Sequence, residues 1–290
     1  MTDLDVLSPG PLALLEDLGR PGHAALGVGE SGAFDRGALR LANRLVGNAE
    51  HTPGIEALGG GLALRATGPC LVAVTGTEGG LTITRTGRPQ PVVRRSPLHL
   101  RAGDVLTVGA PVRGLRSYVA VRGGVQVERT LGSASYDTLA RLGPAPLTAG
   151  DRLPVGRDTV SHPHVDHAPL RSVEGPLRVL LGPRDDWFTA EAVTALLSTA
   201  WVVTPHSDRV GLRLDGPALP RRDPGRELPS EPMVAGALQV PPDGRPVLLG
   251  PDHPTTGGYP VIAVVLRDDV DRAAQLGPGT TLRLQNVHAV

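Results

Sequence analysis

At 290 residues the chain has room for two lobes that each bury a core, and its net charge of +0 with 2% aromatic residues leaves a nucleic acid neither a basic surface nor stacking platforms. All 29 basic residues are arginine; a chain without lysine forms no Schiff base, has no phosphate-loop lysine and cannot carry biotin, so any nucleotide or carrier chemistry has to come from a partner. The single cysteine, Cys70, allows no internal disulfide; the acidic N-terminus lacks a signal pattern, and no apolar run approaches the roughly 18 residues that cross a bilayer, which predicts a cytoplasmic protein with no membrane partner.

With 38 glycines and 29 prolines, short strands and turns should outweigh helices, giving a mainly β (α+β) chain. In chain order, Leu12 to Leu15 reads as a strand, and Glu16 to Gly22 as a glycine turn whose acids and Arg20 form an ion pair. The polar loop from Gly29 delivers Ser31 and Asp35 to the clearest helix: Asp35 is its N-cap, Ala38, Leu41, Ala42 and Leu45 make the apolar stripe, and Gly47-Asn48 ends it. Asp35 is either a plain cap or an acid–base group, and Asn43, off the stripe, faces solvent or a cleft. Glu56 stands inside the apolar segment Gly54 to Leu58. Further strands are expected over Leu71 to Thr75, with Cys70 in the core, and over Ser117 to Val121. Leu100 to Gly109 is echoed by Leu147 to Gly156 and, loosely, by Leu276 to Leu282, each reading as a barrel hairpin with glycine at its turn.

Residues 157–174 lapse into Pro, His, Ser and Asp and read as a linker between an N-terminal lobe, 1–156, and a C-terminal lobe, 175–290. Within it His162, His164, Asp166 and His167 spell H-x-H-x-D-H, a di-metal ligand pattern of metal-dependent hydrolases. The buried strand and helix that should flank such a motif are missing, so no metal site is expected there and a metal hydrolase is a remote alternative.

The second lobe opens with a strand over Leu177 to Leu181 and a helix from the Thr189 cap through Leu197, then a strand over Trp201 to Val203. If Ser207 to Leu214 is extended, Arg209 and Arg213 share one face, where they bind a carboxylate or pair with Asp208 and Asp215. The richest stretch is Ser230 to Pro260. Two short strands, Ala237 to Val240 and Pro246 to Leu249, flank the turn Pro241-Pro242-Asp243-Gly244. Gln239 brings an amide into the first strand, to crosslink backbone or face a ligand. The turn Thr255-Thr256-Gly257-Gly258-Tyr259-Pro260 gathers two hydroxyls, two unhindered amides and a phenol, which suits a carboxylate or phosphate, or a tight barrel corner. A strand over Val261 to Leu266, a helix over Asp269 to Leu276 and a strand over Thr281 to Val287 complete the chain.

Glu16 to Arg20, Ser31 to Asp35, Ala42 to Asn48, Ala120 to Gly124, Leu131 to Ser133, Asp208 to Leu214, Gln239 to Gly244 and Thr255 to Pro260 occur in an order that resembles the carboxyltransferase-domain family, which contains the C subunit of 5-oxoprolinase and the second subunit of allophanate hydrolase. The resemblance spans nearly the whole chain. It implies a cyclophilin-like β-barrel and a role as one part, inactive alone, of a hetero-oligomeric ATP-dependent enzyme that opens 5-oxoproline to glutamate. The B subunit of 5-oxoprolinase would be the direct partner and the A subunit would complete the reaction, with no cofactor held by this chain and ATP used by the complex. The alternatives are a carboxyltransferase-type subunit for urea- or allophanate-like substrates and a non-catalytic regulator of the B subunit. Two positions depart from the family pattern: Pro254 replaces a usual Gln and Ala134 a frequent Arg.

On this resemblance one cleft is expected, with Asp35, Glu56, Gln239, Thr256 and Tyr259 as catalytic candidates and Ser31, Asn43, Arg209, Thr255, Gly257 and Gly258 as substrate-binding candidates. Arg209 and the turn amides would hold a carboxylate, and Asp35 or Glu56 would move the proton.

Overall fold

The computed structural model describes residues 2–163, 165–169 and 174–287. The chain divides into two compact units, one of residues 1–20, 31–137 and 141–172, the other of residues 21–30, 138–140 and 173–290.

The first unit holds β1 (Asp3–Pro9), β2 (Leu12–Glu16), α1 (Arg36–Val46), β3 (Gly54–Leu58), β4 (Leu62–Ala66), β5 (Cys70–Arg85), β6 (Arg88–Pro91), β7 (Leu98–Leu100), β8 (Val105–Val121) and β9 (Arg152–Pro154). One nine-stranded sheet runs β2-β3-β8-β4-β1-β9, with β5 paired to β8 and carrying β6 and β7. The pair β5 and β8 is its spine, antiparallel from Val72 opposite Val121 to Thr84 opposite Val105. Sequence reading found only the apolar end of each strand. The remainder is broken by Gly76, Gly79 and Gly80, where the register shifts, and glycine is needed for contact: a Cβ on Gly76 would lie 2.2 Å from the Arg116 carbonyl oxygen. Alternate residues such as Val72, Val74, Leu106 and Val108 are fully buried in the core of this sheet.

α1 is built as its sequence indicates. Asp35 Oδ1 accepts from Ala38 N at 2.8 Å, and Gly47 at φ 77° closes the C-terminus. Ala42, Leu45 and Val46 pack on Leu71, Ala73 and Ala120, while Leu39 joins Tyr118. Each large side chain buried there contributes roughly 1.5–3 kcal/mol.

The echoed Leu-x-Ala-Gly-Asp segments form the same turn twice. Asp104 Oδ2 accepts from Arg101 N at 2.9 Å and Asp151 Oδ2 from Thr148 N at 2.7 Å, with Gly103 and Gly150 at φ 85° and 98°. The hairpin expectation is corrected: β7 and β8 both pair with β5, and β9 pairs with β1. The Leu276 to Leu282 copy likewise leads into a strand that pairs elsewhere. Cys70 opens β5 half-buried against the core, and burial pushes its thiol up to about 11.

The second unit holds β10 (Leu177–Leu181), α2 (Ala190–Ser198), β11 (Trp201–Val203), β12 (Gly211–Asp215), β13 (Glu231–Pro232), β14 (Ala237–Gln239), β15 (Val247–Leu249), β16 (Thr256–Gly257), β17 (Val261–Val265), α3 (Arg267–Ala273), β18 (Thr281–Leu282) and β19 (Leu284–Asn286). Eight strands run in the order β18-β11-β12-β15-β14-β17-β10-β19. β18 and β19 adjoin in sequence, so the ends of the sheet meet in a nearly closed barrel, as a cyclophilin-like fold requires. The expected closing strand is therefore two short ones that bridge the edges. Trp201, Leu238, Leu248 and Ile262 fill the interior, and Trp201 Nε1 donates to the Leu196 carbonyl at 2.9 Å. Thr189 caps α2 as read, whereas α3 begins two residues before the expected Asp269. That aspartate is instead held by Arg178 and Arg272: burial pushes its carboxyl up, and the arginine hydrogen bonds outweigh it to leave the pKa lowered.

Candidate functional site

The sequence candidates fall into two groups, one in each unit. In the first unit all four side chains are buried and engaged. Glu56 Oε2 accepts from Phe34 N and from Tyr118 Oη, both at 2.9 Å, while Oε1 lies 3.4 Å from Arg116 Nε. Tyr118 Oη also accepts from Asp35 N at 2.8 Å, so one phenol ties the Ser31 to Asp35 loop to β3. Burial, then the charges of Glu56 and Asp35, hold the Tyr118 pKa well above its usual value, so the phenol stays a donor. Asp35 is the cap of α1. Ser31 sits at φ 55° with its carbonyl accepting from Arg36 Nη2.

The reading of Asn43 as facing solvent or a cleft is corrected. It is fully buried: Nδ2 donates to the Thr52 carbonyl at 2.8 Å, and Oδ1 accepts from Asn48 Nδ2 at 3.0 Å. An amide off the apolar stripe is buried here because the chain after α1 folds back over it. Tyr118→Phe tests this cluster without opening a cavity. The expected loss is about 1–3 kcal/mol in denaturant unfolding, the cost of leaving Asp35 N and one Glu56 lone pair unpaired; an unchanged midpoint would remove the phenol from the loop's anchoring.

The Glu16 to Gly22 turn is also corrected. Arg20 donates to the Thr130 and Ser135 carbonyls rather than to Asp17. Asp17 accepts instead from Gly19 N, Ser133 Oγ and Ser135 Oγ at 2.6–2.7 Å, and from Ala134 N at 2.8 Å. Ala134, one of the two departures from the family pattern, is fully buried in this knot.

In the second unit Arg209 lies before β12, not on it, and is buried, whereas Arg213 is exposed. Neither wet-surface pairing holds. Arg209 Nε and Nη2 make a fork with Asp252 Oδ2 and Oδ1 at 2.8 and 3.1 Å, and Thr138 N and Oγ1 donate to the same carboxylate. Asp215 pairs with Arg245.

The Thr255 to Pro260 turn has the opposite character. Its backbone is pinned: Met233 N donates to the Thr255 carbonyl at 3.0 Å, β16 pairs with β13, and Val240 N donates to the Pro260 carbonyl at 3.0 Å. Gln239, 8% exposed at the end of β14, donates through Nε2 to the Tyr259 carbonyl at 3.2 Å. A Cβ on Gly257 would lie 2.5 Å from that Nε2, so any larger residue there would push the Gln239 amide from its bond to the turn. Thr256, Gly258 and Tyr259 are exposed, and among the described residues neither hydroxyl makes a hydrogen bond. The pinned backbone thus holds the Thr256 hydroxyl and the Tyr259 phenol exposed within four residues, above the buried Gln239 amide.

His253 belongs with this group and was missed from sequence. Its Nδ1 lies 2.8 Å from the Pro254 carbonyl, which can only accept, so Nδ1 is the donor of that bond and Nε2 is the other ring nitrogen. The signal was present as Asp252-His253 directly before the threonines.

Of the H-x-H-x-D-H stretch, His164 lies outside the described residues. No group of three or more His, Cys, Asp or Glu among the described residues is placed to hold a metal ion.

A nearly closed barrel follows a β-rich unit in one chain, and residues 26–286 of it match the family model described as carboxyltransferase domain, subdomain A and B. The chain belongs to this family. It is similar to the C subunit of 5-oxoprolinase from Haemophilus influenzae, 32% identical over 98% of this chain and 91% of that one. Among solved structures it resembles TTHA0988, with TM-score 0.87 and 36% identity over 98% of this chain and 55% of that one. It also resembles the urea amidolyase of Kluyveromyces lactis, with TM-score 0.91 and 27% identity over 99% of this chain. This chain spans about half the length of the first of those structures and 19% of the second.

Proposed function

We propose that the chain is the C subunit of a 5-oxoprolinase that opens 5-oxoproline to glutamate at the expense of ATP, acting with a B subunit that it contacts directly and with an A subunit. The observation that carries this reading is the match to the Haemophilus influenzae protein over 91% of that protein's length. The absence of lysine supports the division of labour, since a chain with none has no phosphate-loop lysine and leaves nucleotide handling to its partners. No helix among the described residues is long and apolar enough to cross a membrane.

Within the chain, the Thr255 to Tyr259 turn with Gln239 is the part that meets substrate. Its amides and hydroxyls receive a carboxylate or a developing oxyanion, and His253 is the proton acceptor at its edge. Asp35 and Glu56, acid–base candidates on sequence alone, are assigned to holding the Ser31 to Asp35 loop. In the reconstituted mixture Gln239→Ala and Thr256→Ala should each lower kcat about a hundredfold or more while Tm stays near that of the parent. Full activity in both would remove the turn from the site. A second reading, a carboxyltransferase part acting on a urea-like substrate, is favoured by the TM-score of 0.91 to urea amidolyase; urea-dependent ATP consumption in the same mixture, without glutamate formation, would select it.

A further inference from the structure

The turn that carries Thr256, Gly257 and Tyr259 has little backbone pairing of its own. β16 pairs with β13 in a two-stranded sheet separate from the eight-stranded barrel. Each strand of that ribbon is two residues long, and Pro232, opposite Thr256, has no N–H to give to the ladder. A ribbon of this size is marginal in water unless other groups hold it. One hold comes from β14, where Gln239 Nε2 donates to the Tyr259 carbonyl and lies 3.8 Å from Met233 Sδ.

A second hold comes from Arg184, in the turn after β10. Its guanidinium forks onto the Glu231 carboxylate of β13: Nε donates to Oε1 and Oε2 at 3.0 and 3.1 Å, and Nη2 donates to Oε1. Its backbone N–H donates to the carbonyl of Val261, the residue after Pro260, at 2.9 Å. One residue thus grips both the strand opposite Gly257 and the chain that leaves the turn. The Arg184 turn is itself fixed. Gly182 N donates to the Ile262 carbonyl at 2.9 Å and Trp187 N to the Arg184 carbonyl at 3.1 Å, and buried Trp187 stacks under the Arg226 guanidinium, 4.2 Å from the ring centre. A forked guanidinium on a fixed base sets direction as well as distance. We propose that Arg184 is a positioning residue for the Thr255 to Tyr259 turn, acting through Glu231 and not by touching substrate. Its fork sets where β13 lies, and β13 sets where Thr256 and Gly257 are presented. The proposal rests on the reading of that turn as the part that meets substrate.

The test applies two readouts to the full chain carrying Arg184→Ala, Glu231→Ala or both; the two side chains are 37% and 23% exposed, so the barrel should fold without them. The first readout is exchange of the Met233 amide, which donates to the Thr255 carbonyl at 3.0 Å. It should exchange at least about tenfold faster in every variant while the amides of β14 and β17 keep the parent's protection. The second is turnover in the mixture with the A and B subunits of 5-oxoprolinase. There kcat should fall about tenfold or more with KM within about twofold, and the double variant should be no worse than either single one, because the two side chains act as one. Parent-like exchange at Met233, or protection lost throughout the barrel, would overturn the clamp whatever the turnover. Parent-like kcat in Arg184→Ala where Gln239→Ala is impaired would overturn the positioning role, as would loss of turnover in Arg184→Ala but not in Glu231→Ala, which would make the arginine a substrate contact. Full activity in Gln239→Ala would overturn the reading of the turn and the positioning role with it, while the exchange result would still decide whether the clamp holds the ribbon.

Discussion

Replacing Asp17 by alanine is expected to destabilise the first unit by about 3–5 kcal/mol, the largest loss from any single polar substitution in that unit. The carboxylate is 3% exposed and gathers the Gly19 and Ala134 amides, the Ser133 and Ser135 hydroxyls and Arg129. Its own amide donates back to Ser135 Oγ at 2.9 Å, so the ring closes on itself and removing its centre strands several buried donors at once. Asp17→Asn keeps one acceptor oxygen and should lose about half as much. Arg129→Ala should cost under about 1 kcal/mol, because that side chain is 43% exposed and water screens the pair. Denaturant unfolding of the three variants checks the order; an Arg129 loss as large as the Asp17 loss would show that the ion pair, not the hydrogen-bond ring, holds the knot.

The second large effect is expected at Asp252. Asp252→Ala leaves Arg209, 3% exposed, as a buried charge without its forked partner, and frees Thr138 from its acceptor. Breaking a buried pair from one side costs about 3–5 kcal/mol, a Tm decrease of roughly 11–18 °C for the barrel unit. The double variant Arg209→Met with Asp252→Leu should recover most of that loss, since removing both charges also removes their desolvation cost. This distinguishes a structural arginine from one kept for a substrate carboxylate. A double variant as stable as the parent and fully active would agree with the structural role; one that is stable but inactive would return Arg209 to the site.

The helix and the barrel strands could be read in the sequence where local rules decide them. Asp35, the stripe from Ala38 to Leu45 and Gly47 lie within one another's reach, and each behaves as its chemistry dictates. β5 and β8 were seen only at their apolar ends, because the glycines and Pro111 that break their pattern look like turns and are in fact register shifts within continuous strands. β1 was not anticipated at all: its outward Asp3 and Asp5 read as an acidic terminus. They mark the polar face of a strand, where hydrogen bonds from Arg65 hold the Asp5 carboxyl below its usual range.

The candidate site divided along the same line. The Thr255 to Tyr259 turn was recognisable because its residue types sit side by side. Arg209 was misread because its partner lies 43 residues further along, at Asp252. Asn43 looked available because a helical wheel does not show the segment that folds back over it. For a polar side chain, sequence gives the donors and acceptors it brings; whether they are spent inside the protein is settled by long-range pairing.

The proposed role as a C subunit is decided by ATP-dependent glutamate formation from 5-oxoproline by this chain mixed with the A and B subunits of 5-oxoprolinase, with each component omitted and then restored. Glutamate formation should vanish when this chain is left out and return in proportion to the amount added back; glutamate formed at the same rate without it would contradict the assignment.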